Sequence, residues 1–497
     1  MSLPDRLPTF RRFGSLLGAT CRRVACILWK WSFRALFVLF CLVTLLALVI
    51  AEENFRGRRA WENYKQAALA RGVKLTLAEL APPPVPDDQN FFMAPLLKPY
   101  TTDTHYWLDL SLDLPGKPDM PDLGYWQNGQ VADLAAWRGY YGQADILSVL
   151  KKYAAKLDEI SAAAQRPYAR YPVDYDTAYS GRAIMLGTFF LVPMSNTFEL
   201  RALSELNSGQ PDSALADTLT LFQFVHATQG YPFLITQLTS EALLNRALQV
   251  VWEGLIAHRW NDAQLAALQA EIPRVNLLPG LQRSMQGEQA QFVDTYERLA
   301  DINFFQGGRE IKTSMDNMRH GFGGFFFYQN MLNLNLYYNQ YVFPAFDVTT
   351  QRFYPQISQA GKASLGSMGQ SDSYPLLYPY HALMGILTPT LNQVLVSCAR
   401  AQTELDEASV ACALERFRLA QGHYPDSLDT LVPQFIVQLP HDVISGGPLH
   451  YQRTADGRFL LYSVGWNETD DHGLVVKGKD GEIDRTQGDW VWPNPAH

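Results

Sequence analysis

The sequence predicts a mainly α-helical protein: a single N-terminal transmembrane helix, an all-α exported domain and a small α+β module at the C-terminus. Three observations carry this. Phe33 to Ala51 (FRALFVLFCLVTLLALVIA) is uncharged apart from Arg34, with only Cys41 and Thr44 softening its apolarity. Its length matches the roughly 20 residues a helix needs to cross about 30 Å of hydrocarbon. Between Ile146 and Leu255 apolar residues recur at spacings of three and four, as on a buried helical face. The C-terminal part instead shows one long helical stripe and then short strand-like runs separated by turn residues.

Topology follows from charge. Arg6, Arg11, Arg12, Arg22, Arg23, Lys30 and Arg34 precede or open the apolar run against one acid, Asp5. The positive-inside bias therefore makes residues 1–34 a cytoplasmic basic tail and residues 35–51 a signal anchor in contact with lipid. A buried core helix is disfavoured, because nothing hydrophilic faces outward along the run. A cleaved signal peptide finds small-residue chemistry in Val49, Ile50 and Ala51. Against it stand the long basic region and an apolar run beyond the usual stretch of about 7–15 residues. The expected location is the inner (cytoplasmic) membrane, single-pass, with the bulk of the chain periplasmic. Beyond residue 34 the chain carries a net charge of −14 within an overall −8, and hydrophobic residues make up 47% of the whole, enough for a real core. An acidic exported part argues against nucleic-acid binding, which needs basic surface.

Residues 52–86 read as a charged juxtamembrane helix ended by the spacer Ala81 to Pro86 (APPPVP), since consecutive prolines cannot continue a helix. The helical exported domain spans 87–354. It opens with an irregular segment to about residue 130 holding Trp107, Tyr125 and Trp126. Helical stripes follow: Ile146, Val149, Tyr153, Leu157 and Ile160; Leu215, Leu219, Phe222 and Val225; Leu244, Leu248, Val251 and Leu255. Asn261 with Gln264 forms a capping-box pattern that Trp260 can staple onto Leu265. Gly321 to Phe346 is aromatic but carries Gln329, Asn330, Asn333, Asn335, Asn339 and Gln340, each costly in hydrocarbon. It reads as a buried helix of the same domain, the other reading being an aromatic face resting on the membrane interface. Residues 355–389, rich in Gly and Ser at their start, are expected to be a loop and domain boundary.

Residues 390–497 form the last module. Leu391, Cys398, Leu405, Cys412 and Leu419 fall every seventh residue, with Val394, Ala401 and Ala408 between them, which predicts a long helix with a narrow apolar seam ended by Gly422 and Pro425. Cys398 and Cys412 lie 14 residues apart on it, roughly 21 Å along the axis, so they cannot pair. Strands are expected at Leu449–Arg453, Phe459–Val464 and Asp489–Trp492, the first two joined by an Asp-Gly turn at Asp456-Gly457.

This order, with the words Ala413–Phe417 (ALERF), Gly422–Pro425 (GHYP), Ser427–Leu431 (SLDTL), Leu439–Asp442 (LPHD), Gly447–Tyr451 (GPLHY), Tyr462–Gly465 (YSVG) and Gly488-Asp489, resembles the globular head of G-type (major) pseudopilins of type II secretion. A pseudopilin carries its apolar helix directly before the head, whereas here some 350 residues intervene, and Val443-Ile444-Ser445 replaces the usual Pro-aromatic-Asp. The resemblance therefore implies a pseudopilin-like head reused on another protein. Trp61–Tyr64 (WENY) and Pro83–Asn90 (PPVPDDQN), with the helical middle, resemble uncharacterised membrane-anchored proteins of planctomycete and verrucomicrobial type, which implies an architecture but no activity.

Candidate chemistry is sparse. Calcium takes six to eight oxygens, and Trp466 to Asp489 holds seven acids. G-type pseudopilin heads bind calcium after the matching strand, so the resemblance points to Asp470 and Asp471, with Asp484 beside them; a solvated acidic loop is the plainer alternative. The histidines show no ligand spacing, and the nucleophile-elbow, Walker, dinucleotide and CxxC motifs are absent from the sequence. Ser364 and Ser367 near Lys362 make a serine–lysine dyad only if space brings them together. The expected function is a non-enzymatic scaffold or interaction protein of the cell envelope, linked to secretion through the head. The alternative is a hydrolase-type enzyme whose site assembles in the helical domain.

Overall fold

A computed structural model of the chain describes residues 9–102, 126–175, 191–298, 324–369, 382–479 and 481–494. These are mainly helical, with small sheets after residue 345. The apolar run lies within one long helix, α1 (Thr9–Ala70). From Trp29 onward α1 has the length and composition of a transmembrane or signal anchor, with a mean hydropathy of 2.7 in its most apolar window and none of that window buried.

The bundle begins with α2 (Leu134–Tyr140), α3 (Ile146–Lys151) and α4 (Ala154–Ala164). The stripe from Ile146 to Ile160 is thus two helices rather than one, with Val149 and Tyr153 only half-buried at the break. No glycine or proline marks that turn. Next come α5 (Leu191–Asn207) and α6 (Pro211–Thr228), joined through Gly209 at φ +75°. Here the buried face differs from the expected one. Arg201 on α5 grips Asp217 on α6 through Nε–Oδ2 at 2.6 Å and Nη2–Oδ1 at 2.5 Å, turning Asp217 inward and leaving Leu215 and Leu219 half-exposed. In α7 (Leu234–Ile256) all four expected core residues are buried. The capping box opens α8 (Asp262–Glu271), with Gln264 N–H donating to Asn261 Oδ1 at 3.0 Å and Asn261 N–H to Gln264 Oε1 at 2.9 Å.

After α9 (Leu277–Arg298), α10 (Gly324–Tyr337) is the helix expected within the aromatic run, with Asn330, Met331, Leu334, Asn335 and Tyr337 buried and Leu336 exposed. Its amides find partners in the bundle rather than in water: Gln289 Nε2 donates to Asn335 Oδ1 at 2.9 Å, and Asn335 Nδ2 to the Met331 carbonyl at 2.8 Å. The helical segment that follows the apolar run is not a free stalk. α1 continues to Ala70 and lies along α10, burying Trp61 and Ala68 in a cluster with Leu75, Val293 and Met331. Asn339 Nδ2 donates to Tyr64 Oη at 2.7 Å. Gly57, Trp61, Tyr64 and Ala68 form one face at spacings of four, three and four, hidden in the sequence among charged neighbours.

Where the composition predicts a loop, α11 (Pro355–Gly369) is helical; residues 370–381 of that stretch lie outside the described part. Pro355 suits the first helical position, and Gly361 lets the helix close on the Tyr337 and Tyr341 rings, since a Cβ there would fall 2.8 Å from Tyr337 Oη. α12 (Ala382–Gln421) is the centre of the molecule. Of the seam residues, Leu391, Cys398, Leu405 and Cys412 are buried and Leu419 is exposed; Gln402, Thr403, Glu404, Glu407, Ser409 and Glu415 are buried as well. It packs against α7, α8, α9, α10 and α11, and also against the strands that follow it. One hydrophobic core accordingly runs from Phe91 to Trp492.

The small sheets are β1 (Phe346–Asp347) with β2 (Arg352–Phe353), β3 (His450–Arg453) with β4 (Phe459–Ser463), and β5 (Val475–Lys477) with β6 (Ile483–Gly488); β7 (Trp490–Val491) joins β4. The β3–β4 hairpin pairs His450 with Tyr462 and Arg453 with Phe459. Hairpin β5–β6 lies inside the acidic stretch read as loop. Several of the sequence words prove to be joints. Asp442 accepts from Ile444 N–H (2.8 Å), Ser463 Oγ (2.8 Å) and Val464 N–H (3.2 Å), tying its turn to β4. Gly465, at φ +67°, approaches the Gly488 carbonyl so closely that a Cβ would fall 2.4 Å from it.

Candidate functional site

The three aspartates expected to hold calcium are placed apart in role. Asp470 Oδ1 accepts from Tyr462 Oη and from His472 N–H, each at 3.0 Å, and its two oxygens lie 3.5 Å from His450 Nδ1 and His472 Nδ1. The His472 backbone donor is the main cause that lowers the Asp470 pKa. Asp471 Oδ2 accepts from Asn467 Nδ2 at 2.8 Å. Asp484 sits on β6, where its Oδ1 accepts from Thr486 N–H at 2.9 Å and Thr486 Oγ1 at 2.8 Å. The loop is closed by a residue not singled out for this role, Asp489, which accepts from Asp471 N–H at 3.2 Å and Gly473 N–H at 2.6 Å. Among the described residues no group of three or more His, Cys, Asp or Glu side chains is arranged to hold a metal ion.

A second place has more of the geometry of a site. A cleft of about 990 Å³ opens between α11, α12 and β6. Ser358, Gln359 and Lys362 line it from α11, Asn392, Gln393 and Ser397 from α12, and Arg485 to Gln487 from β6, with Trp466 at its side. Lys362 and Arg485 are exposed on its rim and have no carboxylate within ion-pair distance among the described residues. On the floor, Ser397 Oγ donates to Glu241 Oε2 at 2.6 Å, and Arg485 Nη1 lies 3.5 Å from the same hydroxyl. Glu241, on α7, is buried behind Ser397 and also accepts from Gln237 Nε2 at 3.2 Å. Burial pushes its carboxyl up to about 7, partly offset by the bonds from Ser397 and Gln237.

The helices explain why these groups meet. Glu241 faces α12 because its neighbours Leu244 and Leu248 place that side of α7 in the core. Ser397 precedes the buried Cys398 and stands at the edge of the α7–α12 contact. Arg485 arrives from the β5–β6 hairpin, which the sequence did not disclose. No sequence motif marks the pair, since the two residues lie 156 positions apart. Of the residues considered for a serine–lysine dyad, Lys362 lines the cleft, and the serine bonded to a carboxyl on its floor is Ser397. Chemically, the cleft offers two cations to an anionic group, amides to polar groups and a hydroxyl backed by a carboxyl near neutrality.

No protein-family model, no curated protein and no solved structure matches this chain.

Proposed function

We propose that this is a membrane-anchored interaction protein of the cell envelope, held in the inner membrane by residues 35–51 with its N-terminus cytoplasmic and its bulk periplasmic. On this reading the pseudopilin-like C-terminal region links it to secretion machinery. The observation that supports it is the unbroken run of α1 from the apolar segment into the bundle, with Trp61 buried at 0% exposure. Such a mount presents the bundle at a set distance from the bilayer, as a scaffold requires. The cleft is the docking place, and its rim cations Lys362 and Arg485 select an acidic protein segment.

A photo-crosslinking residue at Gln393 on the cleft rim tests this in native membranes. The expected result is an adduct with one envelope protein that disappears in Lys362→Glu/Arg485→Glu and is absent when the crosslinker sits at Glu159 on α4. Adducts indifferent to the charge reversal would overturn the cleft as the docking place. A reporter fused after His497 tests the topology: it should report export, and cytoplasmic activity would contradict it.

The Ser397–Glu241 pair favours a second reading, a hydrolase in which Ser397 is the nucleophile and Glu241 its base. A carboxyl held near 7 is matched to proton transfer at neutral pH. A fluorophosphonate probe should then label Ser397 in the native chain and fail to label Glu241→Gln; absence of labelling in both would leave the interaction reading alone.

A further inference from the structure

Two arginines from separate elements close on one glycine. Gly230 sits at φ +88° in the turn between α6 and α7, and a Cβ there would stand 3.6 Å from Arg283 Nη1 on α9. Arg170 Nη1 and Nη2 would lie 3.7 and 3.9 Å from the same point, and no other atom is nearer. Gly230, Arg170 and Arg283 are each half-buried, so the place is neither closed nor fully washed by water. Like charges brought together repel, the more so when partly withdrawn from solvent. Neither arginine has a carboxylate within ion-pair distance among the described residues.

The backbone holds these cations in place without neutralising them. Arg283 Nη1 donates to the Gly230 carbonyl at 2.9 Å, and Arg170 Nη1 to the Ala169 carbonyl at 3.1 Å. Asn90 fixes the Arg170 main chain from both sides, accepting from its N–H at 2.8 Å and donating to its carbonyl at 2.7 Å. Two donors are left over: Arg170 Nε and Tyr175 Oη are buried with no hydrogen-bond partner among the described residues, an arrangement that costs free energy unless something accepts from them. Burial and Tyr231 raise the Tyr175 phenol pKa while Arg170 and Arg283 both lower it, so the hydroxyl lies within electrostatic reach of both cations; no carboxylate acts on it. The wall behind is apolar. Tyr175 stacks on Phe233 at 5.9 Å, and Phe233 is buried with Leu77 and Tyr231.

We propose that Arg170, Arg283 and Tyr175 form a binding site for a phosphate-type oxyanion. A carboxylate is filled by one guanidinium fork, whereas a tetrahedral anion has oxygens for two forks and a phenol besides. The anion supplies the missing counter-charge and joins residues 169–175, the α6–α7 turn and α9. The site depends neither on the cleft nor on the span.

The test is equilibrium dialysis of the full chain in detergent micelles against radiolabelled inorganic phosphate, at fixed ionic strength in a buffer otherwise free of oxyanions. One saturable site per chain is expected. Its affinity should fall about tenfold or more in Arg170→Gln and in Arg283→Gln, and stay unchanged in Lys362→Gln, which removes a cation of the cleft. Arg283→Lys, which keeps the charge and loses the fork, should bind with intermediate affinity, and circular dichroism melting checks that each variant is folded. Repetition in phosphatidylglycerol nanodiscs separates two sources of the anion: binding kept there marks a soluble phosphate, and binding displaced there marks a lipid headgroup. Absence of saturable binding by the parent chain would overturn the proposal whatever the variants do, and so would equal affinity in the parent and both glutamine variants.

Discussion

At the scale of single residues, close approaches decide more than composition suggests. Gly254 lies in the last turn of α7, where the Trp260 indole crosses so near that a Cβ would fall 2.0 Å from Nε1. Gly254→Ala should therefore destabilise the protein by about 1–3 kcal/mol through overpacking, despite alanine's better helix propensity. Gly139→Ala in α2, where the nearest atom is 3.8 Å away, should be neutral or slightly stabilising. Equal denaturant midpoints for the two variants would contradict this. Burial of Glu241 makes a second prediction, on pH. Its folded pKa is raised from 4.5 to about 7, so the folded chain holds a proton that the unfolded chain releases. The stability associated with this group is present below about 4.5 and lost as pH rises through about 7. Glu241→Gln, which resembles the protonated form, should gain in melting temperature relative to the parent as pH rises across that window. A pH-independent difference between them would refute the assignment. Neither feature was legible beforehand: a glycine in a helix and a glutamate in an apolar stripe reveal nothing until their distant partners are known.

At the scale of elements, legibility followed local punctuation. The capping box of α8, the hairpin around Asp456-Gly457 and the end of α12 at Gly422 could be read because their determinants lie within a few residues of each other. The break between α3 and α4, the helix α11 and the hairpin β5–β6 could not, because tertiary packing rather than turn chemistry determines them. α12 shows the limit most plainly. Its heptad stripe was visible, but nothing local marks the polar residues beside it as buried; Glu404 receives Arg400 Nε at 2.8 Å and Gln127 Nε2 at 3.1 Å in the interior. The acidic stretch is an element with its own test. If Asp470 and Asp471 bind calcium, a hundredfold excess over Kd should stabilise the protein by about 2.7 kcal/mol. The effect should vanish in Asp470→Ala/Asp471→Ala. Equal melting in calcium and in chelator would leave the loop held by Asp489, Tyr462 and Asn467 alone.

At the scale of the whole molecule, α12 joins what the sequence divides. Its core contacts reach α7 and α8 on one side and β4 and β6 on the other. A fragment beginning at Thr390 would expose the α7- and α8-facing side of that helix, so it should fail to unfold cooperatively on its own, and urea unfolding of the bundle and the C-terminal strands in the full chain should coincide. A cooperative transition in the fragment would show that the last module is autonomous. The central claim is the mount we propose: the apolar helix enters the bundle without a hinge, so a bundle anchored through it would be fixed to the membrane rather than tethered. Amide hydrogen exchange of the full chain in nanodiscs tests it most directly over residues 57–68 of α1. The account predicts protection there comparable to that of α7, reduced in Trp61→Ala, which removes the ring buried against α10. Rapid exchange over 57–68 in the unaltered chain, with α7 still protected, would contradict it.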